Sequence, residues 1–302
     1  MAAVNHAFPV LAIGAALLLC ACGTAPSSVP ASSSRPSSSA ALASASGSAA
    51  VAASASHATA PVIRGTLTVF AAASLTDAFN QMKSAIQAGN PGTTVNVNYA
   101  GSQVLRTQLS QGAKADVFAS ADTANMDGAS SDGTIEGKAS IFAHNKLAVV
   151  VPASNAKVGA LQDLAKPGIK IIIEQASVPA GNYSRQALTN MSADPAYGSD
   201  FASKVMANVV SQETDVKAVL SRVQLGEADA GMLYVSDIAT AQAGTVKSIP
   251  IPDQFNVIAD YPIAVVKGAP NPDGTQAFIS YVLAPSGGQA ILERSGLLPV
   301  TS

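Results

Sequence analysis

The chain contains no tryptophan, and aromatic residues make up only 5% of its 302 positions. That is too few for the stacking platforms on which single-stranded nucleic acids lie. Charge is scarce too: Asp, Glu, Lys and Arg amount to 12%, with a formal net charge of -2. No basic stripe exists to attract a polyanion, so a nucleic-acid partner is excluded. Both cysteines, Cys20 and Cys22, and two of the three histidines, His6 and His57, lie near the start. The rest has His144 as its one histidine, no cysteine for a disulfide, and no His/Asp/Glu cluster with the spacing of a cation site. A fold built from it must hold by packing alone. No solenoid-type repeat is present.

What is there begins with an apolar run from Ala7 to Leu19. It is too short to span a bilayer and has the length of a signal-peptide core, although no Lys or Arg precedes it. Residues 1–21 are therefore expected to be a signal peptide. The run closes on Leu19-Cys20-Ala21-Cys22-Gly23, which resembles the bacterial lipobox and implies cleavage before Cys22 and a lipid on its thiol. A disulfide or metal pair from Cys20 and Cys22 is the competing reading, and it lacks a third cysteine. Residues 22–65, rich in Ser, Ala and Pro, cannot bury a core and are expected to form a disordered, lipid-anchored tether with a reach on the order of 35 Å.

From Thr66 onward about 240 residues remain, enough for one large or two modest domains. Strand-like and helix-like runs alternate: Val117–Ala119, Lys146–Val151, Ile169–Ile173, Gly231–Tyr234 and Ile263–Val266 read as strands. This is α/β order. Extended runs near 145–152 and 261–266 suggest two crossings between lobes. Residues 66–143 and 262–302 are then lobe one, with helices at Gln276–Leu283 and Gly288–Ser295 returning to it, and 144–261 are lobe two.

The most telling segment is Phe70-Ala71-Ala72-Ala73-Ser74-Leu75, where an apolar strand ends in small residues and a hydroxyl. Leu75, Phe79, Met82 and Ile86 then recur at helical spacing, which predicts Ser74 as a helix N-cap. Free N–H groups and the positive end of the helix dipole meet there, an arrangement suited to an anion. A second junction repeats it: strand Val95–Tyr99, then Ala100-Gly101-Ser102-Gln103, then a helix with Val104, Leu105 and Leu109. Parallel neighbours would open both serines on one crevice. The central stretch adds three candidates: the turn Ser177-Val178-Pro179-Ala180-Gly181-Asn182, the helix start Thr214-Asp215-Val216, and the phenol of Tyr234 at a strand end. Each also fits an ordinary role, as a turn, a cap and a core edge. Arg185 and Lys217 are expected in solvated positions.

Together these segments resemble the molybdate-binding proteins of bacterial uptake systems, which are two-lobed, periplasmic-type (type II) solute-binding proteins. The resemblance runs from Thr66 to Val300. It rests on Val69-Phe70-Ala71-Ala72-Ala73-Ser74-Leu75, Ala115-Asp116-Val117-Phe118-Ala119-Ser120-Ala121-Asp122, Val178-Pro179-Ala180-Gly181 and Tyr234-Val235-Ser236-Asp237. It implies that molybdate or tungstate is held by Ser74 and Ser102 from one lobe and by the Ala180 and Val216 amides and the Tyr234 hydroxyl from the other. The ligand is an oxyanion, with no metal-cation site and no further cofactor. The resemblance also implies an ABC transporter permease as partner, an anchored position on the outer face of the cell membrane, and a chain acting as a monomer without enzymatic activity.

The chemistry points the same way, because a tetrahedral dianion offers only acceptor oxygens and the assigned set only donors. Several hydrogen bonds to a charged acceptor, about 1.5–3 kcal/mol each, offset desolvation without a counter-ion. Sulfate or another tetrahedral oxyanion in the same fold is the near alternative. A secreted serine hydrolase is the remote one, lacking a Gly-x-Ser-x-Gly elbow and having only His144 as base.

Overall fold

The computed structural model describes residues 61–300, apart from Ala156. The expected signal peptide, the lipidation site Cys22 and the tether up to residue 60 lie outside the described residues. The tether was expected to reach residue 65, but its end is part of the domain. Ile63 is buried, its N–H donates to Asn90 Oδ1 at 3.1 Å, and Asn90 Nδ2 donates back to Pro61 O at 2.7 Å.

The first half builds one sheet. β1 (Thr66–Ala72) ends in a run buried on both faces, as a central parallel strand must be. A 3₁₀ turn, Ala73–Leu75, leads into α1 (Thr76–Gly89), which buries Ala78, Phe79, Met82 and Ile86 along one stripe. Burying a side chain such as Phe79 or Ile86 contributes about 1.5–3 kcal/mol. β2 (Thr94–Ala100), α2 (Ser102–Ser110), β3 (Val117–Ala119), α3 (Thr123–Ser131) and β4 (Ile135–Asn145) follow.

The chain then enters a second sheet with β5 (Leu147–Pro152), β6 (Ile171–Glu174), α4 (Pro179–Ser192), α5 (Phe201–Ala207), β7 (Val209–Glu213), α6 (Val216–Gln224), β8 (Ala230–Tyr234), α7 (Val235–Ala239) and β9 (Val246–Pro250). It returns through β10 (Ala259–Val266) to α8 (Pro272–Leu283) and α9 (Ala290–Arg294).

Strand order is β2-β1-β3-β10-β4 in one sheet and β7-β6-β8-β5-β9 in the other. β1 is parallel to β2 and β3, and β6 is parallel to β7 and β8. β10 and β5 run antiparallel to their neighbours. The exchanges between sheets fall at Lys146 and within 251–258. β4 stays in the first sheet to Asn145, and the proposed return at 262 lies inside β10, whose pairing with β4 already starts at Ala259. The edge strands β7 and β9 and the long β4 were not read from the sequence, because their half-exposed or polar stretches carry no apolar alternation. The C-terminal helices pack on the first lobe: the Phe278 ring meets Phe79 edge-on at 5.7 Å, and Gln289 Nε2 donates to Phe142 O at 2.8 Å.

Candidate functional site

The carboxyl ends of β1 and β2 and those of β6, β7 and β8 face one another across a cavity with about 200 Å³ free of protein atoms. The first lobe contributes Ala72, Ala73, Ser74, Gly101, Ser102 and Ala121. The second contributes Glu174, Val178, Pro179, Ala180, Asp215, Val216 and Tyr234. All five residues singled out from the sequence, Ser74, Ser102, Ala180, Val216 and Tyr234, thus line one space. No Lys or Arg does.

Neither serine is a helix cap. Ser74 sits inside the 3₁₀ turn, and Leu75 holds the N-cap position of α1. Its hydroxyl is taken by a buried chain instead. Lys146 N–H donates to Asn145 Oδ1 at 3.0 Å, which fixes the Asn145 amide so that Nδ2 points to Tyr261 Oη at 3.3 Å and Ser236 Oγ at 2.8 Å. Tyr261 Oη lies 2.9 Å from Ser74 Oγ. Either hydroxyl of this pair can donate to the other, and when the phenol donates, Ser74 keeps its proton for the cavity.

Ser102 is the first residue of α2, and Gly101 is its cap. Only glycine fits there, since a Cβ at Gly101 would stand 2.5 Å from Thr214 O of the opposite lobe. Ser102 Oγ accepts from Ala121 N–H at 3.0 Å, so its proton too is left for the cavity. Ser102 is thereby turned into a donor by the group behind it.

In the second lobe Ala180 follows Pro179 at the head of α4, where the first N–H groups have no intrahelical acceptor. Gly181 next to it cannot carry a Cβ, which would meet Gln175 O at 2.0 Å. Asp215 caps α6 as expected, accepting from Ala218 N–H at 3.0 Å, and Val216 opens that helix. Tyr234 is buried, and its hydroxyl makes one long bond, to Ala121 O of the other lobe at 3.4 Å.

Two cations expected in solvent are engaged. Arg185 Nη1 donates to Glu174 O and Gly181 O, bracing the β6–α4 turn from behind. Lys217 Nζ spans the crevice, 2.7 Å from Asp77 Oδ2 on α1 and 3.1 Å from Asp237 Oδ1 on α7. Asp237 is fully buried with neither oxygen met by an aligned donor, and burial pushes its carboxyl up to about 6 despite Lys217. Gln103 Nε2 adds a further cross-lobe bond, to Thr214 O at 3.1 Å.

The sequence reading missed one group in the cavity, Glu174. Its signal was an acid closing the apolar run Ile171-Ile172-Ile173. Burial pushes its carboxyl well above the usual range, the negative charges of Asp237 and Asp215 add to the effect, and the N–H groups of Gly181 and Ala180 oppose it. The set is therefore not made of donors alone. His144 pairs with Asp260 at 2.7 Å and does not line the cavity, so among the described residues no imidazole stands beside the serines.

Comparison with known proteins follows the geometry. The model of the family described as bacterial extracellular solute-binding protein matches residues 67–298. The molybdate-binding protein ModA of Mycobacterium tuberculosis is 41% identical over 232 residues, covering 76% of this chain and 84% of that one. ModA of Haemophilus influenzae is 31% identical over 224 residues, covering 72% and 84%. The periplasmic molybdate-binding protein of Azotobacter vinelandii superposes with a TM-score of 0.66 at 21% identity, over 78% of this chain and 100% of that one.

Proposed function

The chain belongs to the bacterial extracellular solute-binding proteins, and from that premise we propose that it captures molybdate, or the near-isosteric tungstate, outside the cytoplasm for an ABC importer. One observation carries the reading: two hydroxyls, Ser102 left with its proton by the Ala121 N–H and Ser74 paired with the Tyr261 phenol, face two helix N-termini and a phenol across a cavity that no Lys or Arg lines among the described residues. Ser74, Ser102, the N–H groups of Ala180 and Val216, and the Tyr234 hydroxyl supply donors from both lobes. A bound tetrahedral dianion then bridges the lobes, and its loss lets them part. The lobes exchange chain only at Lys146 and 251–258, two short segments on which such a motion can turn.

The 41% identity to ModA of Mycobacterium tuberculosis supports molybdate as the ligand. The lipobox-like Cys22 supports lipid anchoring at the outer face of the membrane. Calorimetry with molybdate, tungstate, sulfate and phosphate side by side tests the reading. Molybdate and tungstate should bind one per chain and alike, sulfate more weakly for its smaller radius, and phosphate weakest because it brings its own proton against the donors Ser74, Ser102, Tyr234 and the Ala180 and Val216 N–H groups. Sulfate binding ahead of molybdate would reassign the ligand within the same fold.

A further inference from the structure

Glu174 is the cavity group for which the function above has no use. It closes β6 at the turn into α4, is 1% exposed, and forms part of the cavity wall. Its Oε2 is buried without a hydrogen-bond partner, which is uncommon enough in a folded protein to require a reason.

No cation hydrogen-bonds its carboxyl among the described residues, and the nearby charge of Arg185 acts on it through space only. Arg185 on α4 spends its guanidinium on the main-chain oxygens of Glu174 and Gly181 and on Gln212 Oε1. Lys217 on α6 is held by Asp77 and Asp237. What faces the carboxyl from the surrounding elements is Asp215 ahead of α6, Asp237 on α7, the Tyr234 phenol at the end of β8, and the Ala180 and Gly181 N–H groups of α4.

Resting on the oxyanion reading, we infer that Glu174 meets the bound dianion as a neutral carboxylic acid whose O–H donates to an anion oxygen, so that each anion bound at alkaline pH takes up one proton from solvent. An ionised carboxylate against an oxyanion sets lone pair against lone pair, whereas the acid form supplies one more donor. Burial and two neighbouring carboxylates already favour that form, and an arriving dianion favours it further. Glu174 thereby acts on specificity. A site that carries its own proton suits an anion that arrives without one, and monohydrogen phosphate would bring a second proton into the same space.

The test titrates the purified protein with sodium molybdate by calorimetry from about pH 6 to about pH 10, in the wild type and in Glu174→Gln. Wild-type Kd should rise toward about tenfold per pH unit on the alkaline side. Glu174→Gln, whose amide N–H replaces the acid O–H at every pH, should match the wild type within a few-fold at the acid end and show a flat profile. At about pH 9, buffers of different ionisation heat should report close to one proton taken up per anion by the wild type and none by the variant. Equal pH profiles in the two proteins would overturn the inference. So would a hundredfold loss of affinity in a variant with a wild-type melting curve. If the variant does not fold, the wild-type proton count decides alone, near one in favour and near zero against. A wild type that binds no molybdate at any pH would instead remove the oxyanion reading itself.

Discussion

Replacing Ser102 by Ala removes one oxygen that serves two partners. Its proton is left for the anion, and its lone pair accepts the buried Ala121 N–H at 3.0 Å. A hydrogen bond to a charged acceptor is worth about 1.5–3 kcal/mol, so affinity for molybdate should fall roughly 10- to 150-fold. The orphaned Ala121 N–H costs about 1–3 kcal/mol in the ligand-free protein as well. For a domain of this size about 2–4 °C of Tm goes with each kcal/mol, so the ligand-free melting temperature should drop by roughly 2–12 °C. Calorimetry gives the first number and a thermal melt without anion the second. Affinity within about threefold of wild type, at whatever Tm, would refute the argument, since it would leave Ser102 as a structural hydroxyl that never touches the ligand.

Tyr234→Phe should weaken molybdate by about 1.5–3 kcal/mol with little change in the ligand-free Tm, because the hydroxyl's one bond in the fold is the 3.4 Å contact to Ala121 O; titration and melt together check it. Lys217→Met cuts the link between Asp77 and Asp237, so stopped-flow measurements should show faster molybdate release. The same variant makes a pH prediction. Asp237 titrates near 6 when folded against about 3.9 unfolded, so its contribution to stability is fully present below about pH 4 and lost as pH rises through 6. Without Lys217 the folded value moves higher, and melts taken across that window should fall more steeply than those of the wild type. Cys22→Ser should move the protein from the membrane fraction to the medium, and its retention would point to an uncleaved apolar N-terminus.

Much of the fold was legible because it depends on local rules. The apolar ends of β1, β6 and β8 and the striped face of α1 announce themselves over a few residues. Polar or half-exposed β4, β7 and β9 do not, since only pairing with β10, β6 and β5 makes them strands. The boundaries of the lobes suffered for the same reason: whether Ala259–Tyr261 belongs to one sheet or the other is decided by partners far away in sequence.

For the site, the sequence by itself determined which residues end strands and open helices, and so marked the junctions at Ser74 and Ser102, the turn 177–182, the helix start at Val216 and the strand end at Tyr234, while Ala180 as the amide of that turn came from the resemblance. It could do so because strand ends and helix starts are short-range events governed by backbone geometry. Tertiary structure alone decided what those groups do. Asn145 and Tyr261 orient Ser74, and Ala121 orients Ser102. Lys217 is drawn out of solvent toward carboxylates on two other helices, and the Glu174 Oε2 is enclosed without a hydrogen-bond partner. A hydrogen bond's direction and a carboxyl's charge are set by whatever lies within a few ångströms, and here those neighbours come from elements that only folding brings together.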